Sequence, residues 1–568
     1  LIFKRSKQTK NTIANADKIV ENYLYVHSAW PAVNVTEITW EENPYQNVTW
    51  CFYLHSLDIV AYLMHAYELD SDLKYLKKAK EIIHSWIVKN PSKEQQASVY
   101  AWKDHSVANR IVNIIHFWDN YKDSPIYEET FTEVITQTLI KHGNYLEDDK
   151  NHTFINNHGI FQDRSLIELS LVFPHLANAD RWYDKAINRF MDHARKDVAQ
   201  SGVHLEHSAE YHIVVLNLFR SINDFLNYHG KEVPELSFLI YKMEEYLAYL
   251  FKPDGKIPLT GDSNPLDMSH FSEKMISNPN FLFIFSSGLL GKQPEIDKVY
   301  KDAGVAIFRN NWTFNSAQLY LKFTAGFHSR VHKHADDLSI LLSIGQTDFF
   351  VDSGKYNYQE KDSYRQYFRS TKAHNTVTVN RKSYEITDEQ IGKSNIQNYG
   401  FHQDYSFVTG IHSLYPGNIV KRTLLYLKKM ESIIIFDELT SNKECTYSQI
   451  FNIGEHVNTT VETKKKIILE STLDGRTIEL LQMNHVTEFK RYEGHTQPIG
   501  GWQSSVFNKK HPITQIQFSN KGNGLEYKTI INTHKDIGIK YFSTKKVDDQ
   551  KTIYSITDKY NEKLYIKI

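Results

Sequence analysis

Between about residues 50 and 290 the apolar positions recur every three to four residues, the period of a helix with one buried face. In SDLKYLKKAKEIIHSWIVKN, Ser71 or Asp72 stands where a cap belongs. Leu76, Ala79, Ile83 and Trp86 fall on one side of this segment and lysines on the other. AEYHIVVLNLFRSINDFLNYHG repeats that spacing and closes on Gly230, a residue suited to the left-handed turn that ends a helix. After about residue 303 the period drops to two. QLYLKF alternates Leu319, Leu321 and Phe323 with Gln318, Tyr320 and Lys322, while HNTVTVN and RTLLYLKKMESIIIF are rich in strand formers. Asp474-Gly475 reads as a hairpin turn. A helical domain, 1–298, is therefore expected to precede a strand domain, 299–568, built as a large antiparallel sandwich. The seam around SSGLLGKQPEIDKV is short and has no Pro/Gly/Ser-rich linker.

Composition narrows the function classes. Hydrophobic content of 41%, charged content of 23% and a formal charge of -1 over 568 residues describe an ordinary folded protein. They provide none of the global basic field that nucleic-acid binding needs, so an anionic partner has to be met by a local groove. Cys51 and Cys445 form no CxxC or zinc-ribbon spacing. No run of about eighteen apolar residues appears, and no membrane span is expected. The opening LIFKRSKQTK lacks a secretory apolar core, and the chain starts at Leu1 rather than Met. The expectation is a secreted or periplasmic protein whose leader is not visible in this chain.

NNHGIFQDRS, residues 156–165, gathers amides, a histidine and charged groups just before the apolar run LIELSLVF, where a helix should begin. Among 27 histidines, the pair in HSRVHKHADDLS is weak alone. On a strand, His332 and His334 would share a face. Asp352 in FFVDSGKYNY and His374 in STKAHNTV add oxygen and nitrogen donors that suit zinc or a similar divalent ion. By spacing alone the plainer reading, hydrogen-bonded surface or core polar groups, is favoured over a metal site. Trp102, Lys103, His105 and Arg110 in AWKDHSVANR could line an anion-binding groove, although such mixtures are common at exposed helix starts. An aromatic content of 13%, with 35 tyrosines, suits stacking on sugar faces and suits core packing as well.

Taken in order, INNHGIFQDRSLIEL, HLEHSAEYH, PDGKIPLTGDSN, HSRVHKHADDLSILLSIGQTDFFVDSGKYNY and RSTKAHNTV resemble the successive blocks of the heparinase II/III-like polysaccharide lyases, the group holding heparin-sulfate lyase and oligoalginate lyases. The resemblance implies an incomplete (α/α) toroid followed by an antiparallel β-sandwich, with the active site in the cleft between them. It implies β-elimination on an acidic polysaccharide that contains uronic acid. Glycosaminoglycans of the heparan-sulfate type rank first, alginate-like uronans or capsules second.

That chemistry removes the C5 proton beside a carboxylate and expels the C4 oxygen, so it needs a group that neutralises the carboxylate together with a base and an acid. By resemblance Asn157 grips the carboxylate and His158 stands beside C5. Tyr211 protonates the leaving oxygen and is a second candidate for the base, and His332 contacts the carboxylate or supports Tyr211. Asn156 is read as a cap or supporting residue. Arg110, His105, Trp102 and Arg369 are the candidate substrate-binding residues, with Arg330 and Arg365 as further candidates for sulfate. His334, Asp352 and His374 match a structural metal site, zinc by donor type. Two readings from other classes remain: an inverting glycoside hydrolase using Asp104, Asp163, Glu206 or Glu210, and a non-catalytic sugar-binding protein.

Overall fold

The computed structural model describes residues 1–5, 8–154, 158–548 and 551–568. Its α-helices are Thr12–Val20 (α1), Val48–His55 (α2), Asp58–Asp70 (α3), Leu73–Lys89 (α4), Asp104–Tyr121 (α5), Glu129–Glu147 (α6), His158–Val172 (α7), Ala179–Asp197 (α8), Ala209–Tyr228 (α9), Pro234–Leu250 (α10), Pro279–Phe285 (α11) and Ser363–Arg369 (α12). The chain divides into two compact units, one of residues 1–196 and 220–236, the other of 197–219 and 237–568.

In the first unit α4 forms as its sequence asks. The Asp72 carboxylate accepts from the Lys74 N–H, and Tyr75, Leu76, Ala79, Ile82, Ile83 and Trp86 are buried. Each fully buried Leu or Ile contributes about 1.5–3 kcal/mol, so this stripe outweighs intrinsic helix propensity in holding α4. α5 sits at the centre, against α2, α3, α4, α6 and α7, and is buried without a break from Ser106 to Phe117. A helix covered on every side has no solvent face for polar groups, so they find partners inside. Asn113, for example, donates to the Ser56 carbonyl and to Asp58, at 2.8 and 3.0 Å. α7 is also buried on most sides, from Ser165 to Ser170 continuously. Among the described residues no helix is long and apolar enough to cross a membrane.

The second unit carries the strands. Lys298–Tyr300, Val305–Arg309, Leu319–Thr324, Ser339–Ile344 and Thr347–Phe350 form an antiparallel meander in chain order. A larger antiparallel sheet runs Val457–Thr463, Lys466–Ser471, Thr477–Gln482, Thr514–Asn532, Ser432–Asn452, Asn418–Leu427, Tyr405–His412, Ser394–Phe401. The two sheets share one core, to which the meander gives Phe308, Leu321, Phe323 and Leu342 and the large sheet Ile433, Ile435, Tyr447 and Phe451. On the other face of the large sheet, Ile434, Phe436, Leu425 and Ile530 pack against Phe542, Tyr554 and Ile556 of the C-terminal three-stranded sheet. Burial on both faces explains why SIIIF is continuously apolar where a one-sided strand would alternate. The fold is thus an N-terminal (α/α) toroid, incomplete as a ring, followed by an antiparallel β-sandwich.

QLYLKF departs from its expected one-sided pattern. Tyr320 and Lys322 are buried as well as Leu319, Leu321 and Phe323. Their side of the meander is covered by α10, whose Tyr249 carbonyl accepts from Arg309 at 2.9 Å, and Arg309 stacks on Tyr320 at 4.8 Å. The polar half of the pattern is therefore a packed layer of cation and rings.

One buried ion pair ties the large sheet to the loops above it. Arg422 forks onto Asp437 of the neighbouring strand at 2.6 and 2.8 Å and donates to the carbonyls of Leu338 and Asn375 at 2.8 and 2.7 Å. Gln449 donates to the same carboxylate at 2.9 Å.

Candidate active site

Tyr211 lies in the first turn of α9, where the Ser208 hydroxyl accepts its N–H at 3.2 Å. Its ring stacks on the His332 imidazole, with centroids 3.6 Å apart and planes 20° from parallel. His332 is not on a strand. It occupies a turn with φ of 54°, and from there Nδ1 stands 3.2 Å from an Asp262 oxygen and Nε2 3.7 Å from a Glu206 oxygen. His334 is also in the loop, and its Nε2 is 3.1 Å from the other Asp262 oxygen. The common face expected for a strand is thus produced by a loop folded around one carboxylate.

Asp262, in the PDGKIPLTGDSN block, is a site residue that the sequence pattern does not single out. Gly261 has φ of 59°, and a Cβ there would stand 2.6 Å from the His207 carbonyl and 2.8 Å from that of His332. Only glycine allows this approach, which brings the Asp262 N–H onto the His332 carbonyl at 3.2 Å. Arg365 was a candidate sulfate ligand. Instead it is buried with both terminal nitrogens on Asp262, the second at 3.0 Å, so it holds that carboxylate and has no free face for substrate. Burial alone would raise the Asp262 carboxyl. The hydrogen bonds from His332, His334 and Arg365 outweigh it and hold the group well below the usual carboxylate range.

The same surroundings act the other way on Tyr211. Burial raises its hydroxyl above the ordinary 10.0, the charges of Glu210, Asp262 and Glu206 add to the rise, and a hydrogen bond from Tyr358 opposes it. Tyr211 therefore keeps its proton at neutral pH, the state of a general acid.

In the helical unit His158 opens α7, with Nδ1 3.4 Å from Asp104, which also accepts from the Thr153 hydroxyl at 2.8 Å. The His105 ring lies tilted against that of His158, with centroids 4.5 Å apart and planes 31° from parallel. Burial, then the neighbouring His158 charge, pushes His105 down to about 3, so it is uncharged at neutral pH and cannot serve as a cation for an anionic sugar. Asn157 lies outside the described residues.

Two other groove expectations are corrected. Arg110 is fully buried; it donates to His142 at 2.9 Å and to the carbonyls of His55 and Ala101 at 2.6 and 2.9 Å, and it lies 3.7 Å over Trp86. His55 ends α2, so Arg110 satisfies a helix-end carbonyl rather than a ligand. Trp102 is buried too, its indole N–H donating to the Asn90 carbonyl at 3.2 Å. Arg369 remains partly exposed, paired with Glu360 at 2.6 Å. Arg330 is largely exposed, with Asp388 at 3.3 Å.

His334, Asp352 and His374 come together in the sandwich unit, all buried, with one ligand atom of each within 4.8 Å of the others. His374 Nδ1 is 3.1 Å from Asp352. Because His334 directs Nε2 at Asp262, its Nδ1 carries the lone pair, and among the described residues that atom has no hydrogen-bond partner. A histidine held by a carboxylate behind it, its free nitrogen facing another His and an Asp, is the donor arrangement a divalent ion takes. The residues fit a metal.

The Heparinase II/III N-terminus family model matches residues 3–287, and the Heparinase II/III-like, C-terminal model matches residues 292–555. The chain belongs to the heparinase II/III family. Among the relatives of this heparinase II/III chain is the heparin-sulfate lyase of Pedobacter heparinus, 22% identical over 543 residues, which are 91% of this chain and 79% of that one. Another is the heparin-sulfate lyase of Bacteroides stercoris, 24% identical over 406 residues, 66% of this chain and 60% of that one. The crystal structure of a mutant of heparan sulfate lyase HepC from Pedobacter heparinus superposes with a TM-score of 0.82 at 19% identity, covering 99% of this chain and 90% of that one. At that identity the likeness establishes the fold, toroid and sandwich alike.

Proposed function

We propose that this heparinase II/III member is a polysaccharide lyase that cleaves glycosaminoglycans containing uronic acid, heparan-sulfate-like chains first, by β-elimination. The observation that carries this reading is Tyr211, kept protonated by burial and three carboxylates and stacked at 3.6 Å on a histidine fixed by Asp262. Asn157 takes the substrate carboxylate and lowers the barrier to losing the C5 proton. His158, oriented by Asp104, accepts that proton for one uronate epimer. As the C4–O bond breaks and the C4=C5 bond forms, Tyr211 gives its proton to the leaving oxygen. His332 packs the Tyr211 ring and faces the incoming carboxylate. The helical domain is taken as 1–298 and the sandwich domain as 299–568, and the enzyme as secreted or periplasmic, where such polymers are met.

A glycoside hydrolase would need two carboxylates free to act. Asp163 is buried against His152 at 3.1 Å, Asp104 is engaged by His158 and Thr153, Glu210 accepts from the Asn264 N–H and side-chain amide at 2.7 and 3.0 Å, and Glu206 faces His332 at 3.7 Å, so the four supply no unengaged pair. The reaction class is tested by incubation with a panel of uronic-acid polymers in heavy-oxygen water. A lyase gives ultraviolet-absorbing 4,5-unsaturated uronate ends with no label at the cleaved bond. Labelled, non-absorbing products across the panel would overturn the reading.

The metal at His334, Asp352 and His374 is taken as zinc, in a structural role. When bound it would supply a positive charge that holds the His334, Asp352 and His374 side chains together, and no proton transfer passes through it. Both imidazoles have to be neutral to bind it, so mild acid or a chelator should strip it. Asp352→Ala should lose that equivalent of metal, measured by mass spectrometry of the purified protein, and melt at lower temperature. Unchanged metal content in this variant would make the cluster an ordinary hydrogen-bonded one.

A further inference from the structure

A second cluster of the same make-up lies in the helical unit, where sequence spacing gave no sign of one. His152 precedes α7, Asp163 is on its second turn and His193 is on α8. Each offers one ligand atom within 4.8 Å of the others, and all three residues are buried.

Its geometry repeats that of the sandwich cluster. In both, an imidazole nitrogen stands 3.1 Å from a carboxylate oxygen: His374 Nδ1 from Asp352, and His152 Nε2 from Asp163. Two atoms bound at about 2.0–2.2 Å to one tetrahedral zinc stand roughly 3.3 Å apart, close to this spacing. In both, the second histidine directs Nε2 at an oxygen behind it, His334 at Asp262 and His193 at the Phe154 carbonyl, at 3.1 and 3.2 Å. A carbonyl fixes the ring as a carboxylate does, because Nε2 has to carry the proton and Nδ1 the lone pair. Among the described residues Nδ1 of His193 has no hydrogen-bond partner, and neither has Nδ1 of His152. The first turn of α7 passes against both rings. A Cβ at Gly159 would stand 2.4 Å from His193 Cε1 and 3.1 Å from His152 Cε1, so any larger residue would push the histidines apart.

The charge around Asp163 points the same way. Its ion-pair partner is His152, and Arg189, whose charge reaches it, is committed to Asp149 and to the carbonyls of Leu146 and Glu147. A third histidine–carboxylate cluster, His65, Glu68 and His116, differs here. Lys4 already sits 2.7 Å from Glu68 and supplies the cation.

We propose that His152, Asp163 and His193 form a second divalent-metal site, of zinc type, which ties residues 152–154 to α7 and α8. The site is independent of the lyase reading, and its test counts metal rather than turnover. The full chain is loaded with zinc, freed of excess by gel filtration and analysed by mass spectrometry, beside Asp163→Asn, which keeps size and an oxygen for His152 but loses the charge. Asp163→Asn is expected to hold one equivalent less than the parent, and an unchanged count overturns the proposal. If that variant does not fold, the metal-stripped Asp352→Asn chain is titrated with zinc against a chromophoric chelator. One tight equivalent supports the helical site and none overturns it.

Discussion

Tyr211→Phe is expected to fold as the parent does and to lose at least about a hundredfold of its turnover, the usual range for a missing general acid. The substitution removes one hydroxyl and keeps the ring that stacks on His332, so packing and substrate binding should persist and KM should move less than kcat. The leaving oxygen, however, would depart without a proton. In the parent the alkaline limb of kcat/KM should lie above pH 10. Burial and three carboxylates hold the hydroxyl above 10.0, so its acid form persists across the neutral range and fails only beyond it. His158→Ala then separates the two proton transfers. A severe loss makes His158 the base, while a mild one assigns the abstraction to another group, because Tyr211 holds its own proton across the neutral range. A folded Tyr211→Phe protein with near-parent turnover would exclude this mechanism even if unsaturated products were found.

Asp262→Ala should cost about 3–5 kcal/mol of stability, because it strands a buried cation rather than merely removing a contact. Arg365 would keep its charge with no carboxylate, and His332 and His334 would lose the oxygen that orients each. Turnover should fall with it, since His332 would no longer be held against Tyr211. Asp262→Ala with Arg365→Met should recover much of the stability, the unpaired cation being gone, and none of the turnover. Denaturant unfolding of the two variants beside the parent checks this. A single variant as stable as the parent would mean that Arg365 finds water or another acceptor and that Asp262 is not the anchor described.

What could be read in the chain depended on whether a residue's partner was near in sequence. α4 was legible because its cap, Asp72, and its buried face, Leu76 to Trp86, lie within one segment. The SIIIF strand was legible as a strand from its strand-forming residues, whereas its burial on both faces is shown by the structure. Asp262 was not legible. Its partners His332, His334 and Arg365 are 70, 72 and 103 residues away, and only the left-handed Gly261 before it hinted at a close approach. Arg110 and Trp102 misled for the converse reason. Their types suit an anionic groove, but their acceptors are carbonyls at His55, Ala101 and Asn90, which no side-chain pattern reveals. His152, Asp163 and His193 were invisible as a group because the packing of a loop residue against two separate helices, not a spacing within one segment, brings them together.

The Arg422–Asp437 pair has a consequence for how the sheet finds its pairing. Strands with a two-residue period can slide by two positions and still present apolar side chains to the same face, so a purely hydrocarbon ladder would tolerate the error. Here such a slide would leave a guanidinium and a carboxylate in the core without each other, a misfold too unfavourable to persist. Since Arg422 also grips the carbonyls of Leu338 and Asn375, the correct offset is passed on to the segments that carry His334 and His374. The pairing of Arg422 with Asp437 thereby also fixes the height at which the histidine loops are presented.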